Sequence, residues 1–247
     1  MKKLSNREEK LIRGLRLKKT RQSENCFLIE GDKLLLEAMN SQFNIIDVYA
    51  TPSWSDSSKL NIVTKEISER ELKSLSNLKT PPGCIAIVEI PKTKNIEVGD
   101  LNLAIEHLQD PGNLGTIMRS AAAFGVKNVT CSTDTVDCYN PKVVQASMGA
   151  IFQLQITYTD LKTHLEALPE NHYVYGAHLA GENIYQTSLK TPATLLMGNE
   201  SNGISEILEK LIHKKLKIPQ SEAVESLNVS MATAVILSEF RRQISWQ

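Results

Sequence analysis

The chain has 247 residues, with 28 Lys and Arg against 28 Asp and Glu, 41% apolar and 23% charged residues. That length supports one large or two small domains with a buried core, and the composition excludes a wholly disordered chain. No stretch nears the roughly 18 consecutive apolar residues of a membrane span, and the start MKKLSNREEK lacks the apolar core of a secretory signal, so a cytoplasmic location without a membrane partner is expected. Cys26, Cys84, Cys131 and Cys138 show no C-x-x-C spacing and no His-rich neighbourhood, so neither a disulfide framework nor a metal site is expected. The balanced charge hides segregation. Residues 1–22 hold nine basic side chains against Glu8 and Glu9, a local +7 that the rest of the chain offsets. A segment of this kind fits either a solvated helix face or contact with a polyanion.

In chain order, Asn6 is placed to cap a helix over roughly 7–18. CFLIEG reads as a strand ending at Gly31, and DKLLLEAM as a helix with Leu34, Leu35, Ala38 and Met39 at helical spacing. The strand NIIDVYA, a helix around SERELKSLS and the strand CIAIVEI complete a small α/β domain over residues 1–91. The polar stretch PKTKNIEVGD marks a linker over 92–100. Residues 101–247 then alternate regularly: strand AIEHLQ, helix TIMRSAAAF, strand VKNVTCS, helix PKVVQASMGAIF, strand LQITYT, helix LKTHLEAL, strands HYVYGAHL and TLLMG, helix EILEKLIHKKL, strand KIPQ and final helix SMATAVILSEFRR. This pattern predicts a mostly parallel sheet covered on both faces, whose ligands sit beyond the carboxyl ends of the strands.

That rule selects three loops. DPGNLG lacks the G-x-G-x-x-G spacing of a dinucleotide fold. It instead offers a Pro-Gly turn, Asn113 just before a helix, and Arg119 about one turn into it, a setting for an anion. GNESNG combines Gly198 and Gly203 with the carboxylate of Glu200; glycines there let a ligand approach the main chain. In IPQSEAVESLNVS, Pro219 ends a strand, Asn228 lies in an irregular segment and Ser230 can cap the last helix.

Taken together, NLGTIMRSAAAFG, LLMGNESNGIS and IPQSEAVESLNVSMATA resemble the three motifs of the SpoU (TrmH-like) RNA 2′-O-ribose methyltransferases of the SPOUT class. KKTRQSENCFLIEGDKLLLEAM is similar to the start of the substrate-binding domain that many of these enzymes carry, a fold like that of ribosomal RNA-binding proteins. The resemblance implies a carboxyl-terminal domain tied in a deep trefoil knot, S-adenosylmethionine as cofactor, and a homodimer whose active site borrows across the interface. It places the catalytic set on Asn113, Arg119, Glu200 and Asn228. By position it assigns cofactor contacts to Ala177, His178, Met197, Gly198, Ile218, Gln220, Ser226 and Leu227. RNA contacts are expected from Arg16, Lys18, Lys19, Arg21 and Arg119. Relatives often have methionine at Gln220 and glycine at Glu222 and Ala223, which bears on the shape of the cofactor loop.

The implied activity is methyl transfer to a ribose 2′-hydroxyl, in ribosomal RNA by virtue of the extra first domain. A guanidinium stays protonated in proteins, so Arg119 is expected to hold the target phosphate and stabilise alkoxide charge, oriented by Glu200 and Asn228, while Asn113 helps fix the nucleotide. The sequence leaves the general base unassigned. The alternatives are a tRNA 2′-O-methyltransferase, a base methyltransferase of the same fold, and a non-catalytic RNA-binding protein; a nicotinamide enzyme is disfavoured by the missing glycine fingerprint.

Overall fold

The computed structural model describes residues 4–92, 99–221 and 226–244. Lys2, Lys3, the linker residues 93–98, Glu222 and Ala223 thus lie outside the described residues. Elements run α1 (Asn6–Gly14), α2 (Lys18–Glu24), β1 (Cys26–Glu30), α3 (Asp32–Met39), β2 (Ile45–Ala50), α4 (Pro52–Ser57), β3 (Lys65–Glu66), α5 (Glu69–Leu75) and β4 (Cys84–Glu89). They continue with β5 (Leu101–Ile105), α6 (Pro111–Ala123), β6 (Asn128–Ser132), α7 (Pro141–Ser147), β7 (Gln155–Thr159), α8 (Leu161–Glu166), β8 (Tyr173–Asn183), β9 (Ala193–Met197), α9 (Glu206–Glu209), β10 (Lys214–Lys217) and α10 (Val229–Gln243). The chain forms two compact units, Met1–Thr93 with Asp137–Phe152, and Lys94–Val136 with Gln153–Gln247.

The first unit is built on a sheet of order β1-β4-β2-β3, with β4 antiparallel to both neighbours and β3 parallel to β2. Its core gathers Ile12, Leu15, Leu28, Leu72, Leu75 and Ile85, aliphatic side chains each worth ~1.5–3 kcal/mol when fully buried. Ser5, not Asn6, caps α1: its hydroxyl accepts from the Glu8 N–H at 3.3 Å, while the Glu8 carboxylate accepts from the Ser5 N–H at 2.8 Å. The helix expected over 7–18 stops at Gly14, and a separate α2 follows.

Two of the basic residues expected to meet RNA have other work. Arg21 is 2% exposed; its Nε donates to Asp137 at 3.0 Å and its Nη1 to the carbonyls of Leu15 (2.8 Å) and Arg16 (3.0 Å). A guanidinium this buried needs its carboxylate, and it cannot reach a phosphate. Arg21 is therefore removed from the RNA-contact set. Arg16 donates to the carbonyls of Leu75 (3.1 Å) and Ser76 (2.9 Å), closing the end of α5. Lys18 and Lys19 are exposed on α2. The Arg21–Asp137 pair, with the Phe27 ring 4.8 Å from Tyr139 and 6.4 Å from Phe152, explains why Asp137–Phe152 packs with the first unit although the sequence suggests a contiguous domain over 101–247.

The second unit carries a parallel sheet of order β10-β8-β9-β5-β6-β7. β5 and β9 are buried along their whole length, as central strands covered on both faces must be. The helix expected over 206–216 shrinks to α9, because KKLK pairs with β8 as a lysine-rich edge strand. Along β8 the register jumps, Lys215 opposing Gly176 and Leu216 opposing Glu182, so Ala177–Gly181 bows out of the ladder. α6 packs on α10. Asp110 caps α6, accepting from the Asn113 N–H at 2.7 Å, which puts Asn113 inside the first turn and Arg119 about two turns further along. Asn228 rather than Ser230 caps α10.

Candidate active site

The three loops meet where the sheet rule places a ligand. One cavity of about 440 Å³ opens at the carboxyl ends of β8, β9 and β10, within the usual range for small-molecule sites. Its wall contains Ala177 and His178 from the bowed part of β8, Met197 and Gly198 after β9, Ile218 and Gln220 after β10, and Ser226 and Leu227 before α10. All eight residues expected at the cofactor thus face one cavity. The sequence reading missed other parts of the wall: Asn199, Lys217, and Ala232 with Ile236 on α10. The i, i+4 spacing of the last two was the available signal.

The loops are joined by a chain of polar contacts. Asn228 Nδ2 donates to Asn113 Oδ1 at 3.0 Å, and Asn113 Nδ2 donates to Glu200 Oε1 at 3.2 Å. Glu200 Oε1 also accepts from the Asp110 N–H at 3.3 Å, while Asn228 Oδ1 accepts from Ser230 N–H at 2.9 Å and hydroxyl at 2.6 Å. A second row fixes the same loops: Ser205 N–H donates to Glu106 at 2.8 Å, and Asn199 Nδ2 to the His107 carbonyl at 2.7 Å. Three catalytic candidates far apart in sequence are therefore one hydrogen-bonded unit. Arg119 is exposed and makes no hydrogen bond or ion pair among the described residues. Within one chain Glu200 and Asn228 hold Asn113, and neither is bonded to Arg119.

His178 is held through one ring nitrogen and lies near a carboxylate with the other. Its Nδ1 accepts from the Ala180 N–H at 3.0 Å, and its Nε2 lies 3.7 Å from Glu209, whose carboxyl is kept below its ordinary range by the ammonium of Lys215. Outside the cavity wall, His107 Nδ1 sits 2.6 Å from Asp134. The Ser132 hydroxyl, followed by His107, holds the Asp134 carboxyl below the usual carboxylate range. No group of His, Cys, Asp and Glu among the described residues is arranged to hold a metal.

The chain belongs to the SpoU rRNA methylase family, whose profile matches residues 100–238; residues 6–86 match the MRM3-like substrate-binding domain. It is 30% identical to the Bacillus subtilis 23S rRNA (guanosine(2553)-2′-O)-methyltransferase RlmP, over 96% of each chain. Among solved structures, a TrmH-family protein from Porphyromonas gingivalis is 35% identical with a TM-score of 0.87, covering 97% of this chain and 99% of that one. An AdoMet-bound rRNA methyltransferase from Sinorhizobium meliloti is 28% identical with a TM-score of 0.86, over 98% of both chains.

Proposed function

We propose that this protein transfers a methyl group from S-adenosylmethionine to a ribose 2′-hydroxyl of ribosomal RNA, acting as a cytoplasmic homodimer whose second unit is knotted. The observation that carries the reading is the Asn228–Asn113–Glu200 chain at the rim of a cavity whose wall includes main chain at Gly198. The donor set suits the cofactor: apolar Met197, Ile218 and Leu227 would hold the adenosine, backbone groups are open to approach, and Glu200 is the carboxylate among the described wall residues, favourable to a cationic group. When bound, the cofactor supplies an electrophilic methyl.

The residues of the chain do the rest. Asn113 and Asn228 hold the ribose in line for attack, and alignment of this kind can contribute about 7–11 kcal/mol toward a barrier. Arg119, free of intramolecular partners among the described residues, takes the target phosphate and stabilises alkoxide charge. The homodimer rests on the resemblance of the three motifs to those of the family. The first unit holds RNA, with Lys18 and Lys19 on its exposed basic helix. The test is transfer of labelled methyl to total RNA from a strain lacking the gene, followed by mapping of the modified ribose. Label in one rRNA ribose is expected; label confined to tRNA or to a base overturns the substrate assignment.

A further inference from the structure

The methylation proposed above needs an acceptor for the hydroxyl proton, and among the described residues Arg119, Glu200 and His178 are each unsuited or engaged otherwise. Arg119 is a guanidinium and stays protonated. Glu200 accepts from Asn113 and from the Asp110 main chain. His178 uses the Nδ1 lone pair on Ala180, which leaves Nε2 as the protonated nitrogen, directed at Glu209.

On the basis of that functional reading, we infer that His107 accepts the proton of the ribose 2′-hydroxyl, poised by Asp134. The geometry is that of an oriented base. Asp134 lies 2.6 Å from Nδ1 and, as a carboxylate, requires a proton there, so the neutral ring keeps its lone pair on Nε2. That lone pair accepts from the side-chain amide of Gln109 at 2.8 Å, an exposed donor that a hydroxyl can replace. The His107 side chain is 44% exposed, open to a macromolecular substrate. Its main chain is tied on both sides: the N–H donates to Ser132 at 2.8 Å and the carbonyl accepts from Asn199, a residue of the cavity wall. Its φ is +48°, a left-handed conformation that apart from glycine is adopted most readily by Asn, Asp and His. His107 thus stands in the segment between β5 and α6 that also carries Asp110, with Asp134 reaching it from the segment after β6, and its main-chain carbonyl is bonded to a residue of the cavity wall. In the reaction the ribose oxygen bonds the methyl carbon as the carbon–sulfur bond breaks. The sulfonium becomes a neutral thioether, and the hydroxyl proton passes to Nε2. The resulting imidazolium is paired with Asp134 and then releases its proton to water.

Two variants keep the backbone conformation, His107→Asn and His107→Gly, because both residues accept positive φ. Each is expected to lower kcat about 100-fold or more while cofactor affinity, read by calorimetry, and KM for RNA stay near wild type. Asp134→Asn, with the imidazole in place, lowers kcat as well. Added imidazole restores part of the His107→Gly rate, which a purely structural role would not allow. Independently of activity, ¹⁵N NMR of the imidazoles in the ligand-free protein is expected to show His107 as the Nδ1–H tautomer. An Nε2–H tautomer, or wild-type kcat in both His107 variants, overturns the inference with the methyltransferase reading intact. A wild-type protein that methylates no RNA ribose overturns both.

Discussion

Gly198 shows how much of the site rests on a single missing atom. A Cβ there would lie 2.2 Å from the carbonyl carbon of Gly203 and 2.4 Å from the Ile204 nitrogen, contacts that real side chains do not make. The strand end and the return of the loop, paired as Asn199 with Gly203, can close on each other only with glycine at 198. Gly198→Ala is therefore expected to open the cavity wall and reduce S-adenosylmethionine affinity at least tenfold, read by calorimetry, with the circular dichroism spectrum preserved. Arg119 makes the opposite prediction. Its side chain is exposed and makes no hydrogen bond or ion pair among the described residues, so Arg119→Ala should leave stability within about 0.5 kcal/mol of wild type. The same variant should lose methyl transfer about 100-fold or more; wild-type turnover would remove Arg119 from the mechanism.

At the scale of elements, adjacent basic residues in one short stretch separate into different roles. α2 presents Lys18 and Lys19 outward and turns Arg21 inward onto Asp137. Composition treats the three alike, since each adds one positive charge; a helical rotation of about 200° sets Lys19 opposite Arg21, while Lys18, the first residue of α2, stays exposed although it lies toward the face of Arg21. Lys18→Gln with Lys19→Gln is expected to weaken RNA binding and flatten its salt dependence without changing the urea midpoint. Arg21→Ala should destabilise the fold by about 3–5 kcal/mol, because it leaves a carboxylate without its buried partner. Urea unfolding measures the difference, and equal stability of the two variants would refute the division. The KKLK segment teaches a similar lesson. Its leucine and lysines continue a helical pattern from EILE, yet pairing with β8 satisfies its backbone as a strand. Local propensity is the weaker term when a sheet edge is waiting.

For the molecule as a whole, pH sensitivity comes from histidines remote from the cavity. Burial lowers the proton affinity of His164 and His172, and His172 has an unpartnered Nδ1 while Nε2 meets Thr194 at 2.9 Å. Their folded values lie below the ordinary 6.5, so between those values and 6.5 the unfolded chain binds more protons. Their contribution is complete above pH 6.5 and is lost as pH falls through the folded values. Glu8, held at about 2 by the Lys65 ammonium and the Ser5 cap, stays ionised far below that window and adds no slope there. The urea midpoint is expected to fall between pH 7 and pH 5, and His172→Gln to reduce that slope; a flat profile in the wild type would contradict it.

Much was legible in the sequence because it depends on local pattern. Strand and helix alternation predicts the parallel sheet, and the order of the three motifs picks out the loops that the sheet rule then brings to one end. The eight cavity residues are supplied by the resemblance to the family motifs, while position after a strand fixes which end of the sheet their loops occupy. Tertiary structure alone decided which polar groups face each other across those loops: Glu200 on Asn113 rather than Arg119, Asp134 on His107, Asp137 on Arg21. Each of these pairs joins residues distant in the chain, and hydrogen-bond geometry depends on ångström-scale separations that no spacing in one dimension specifies.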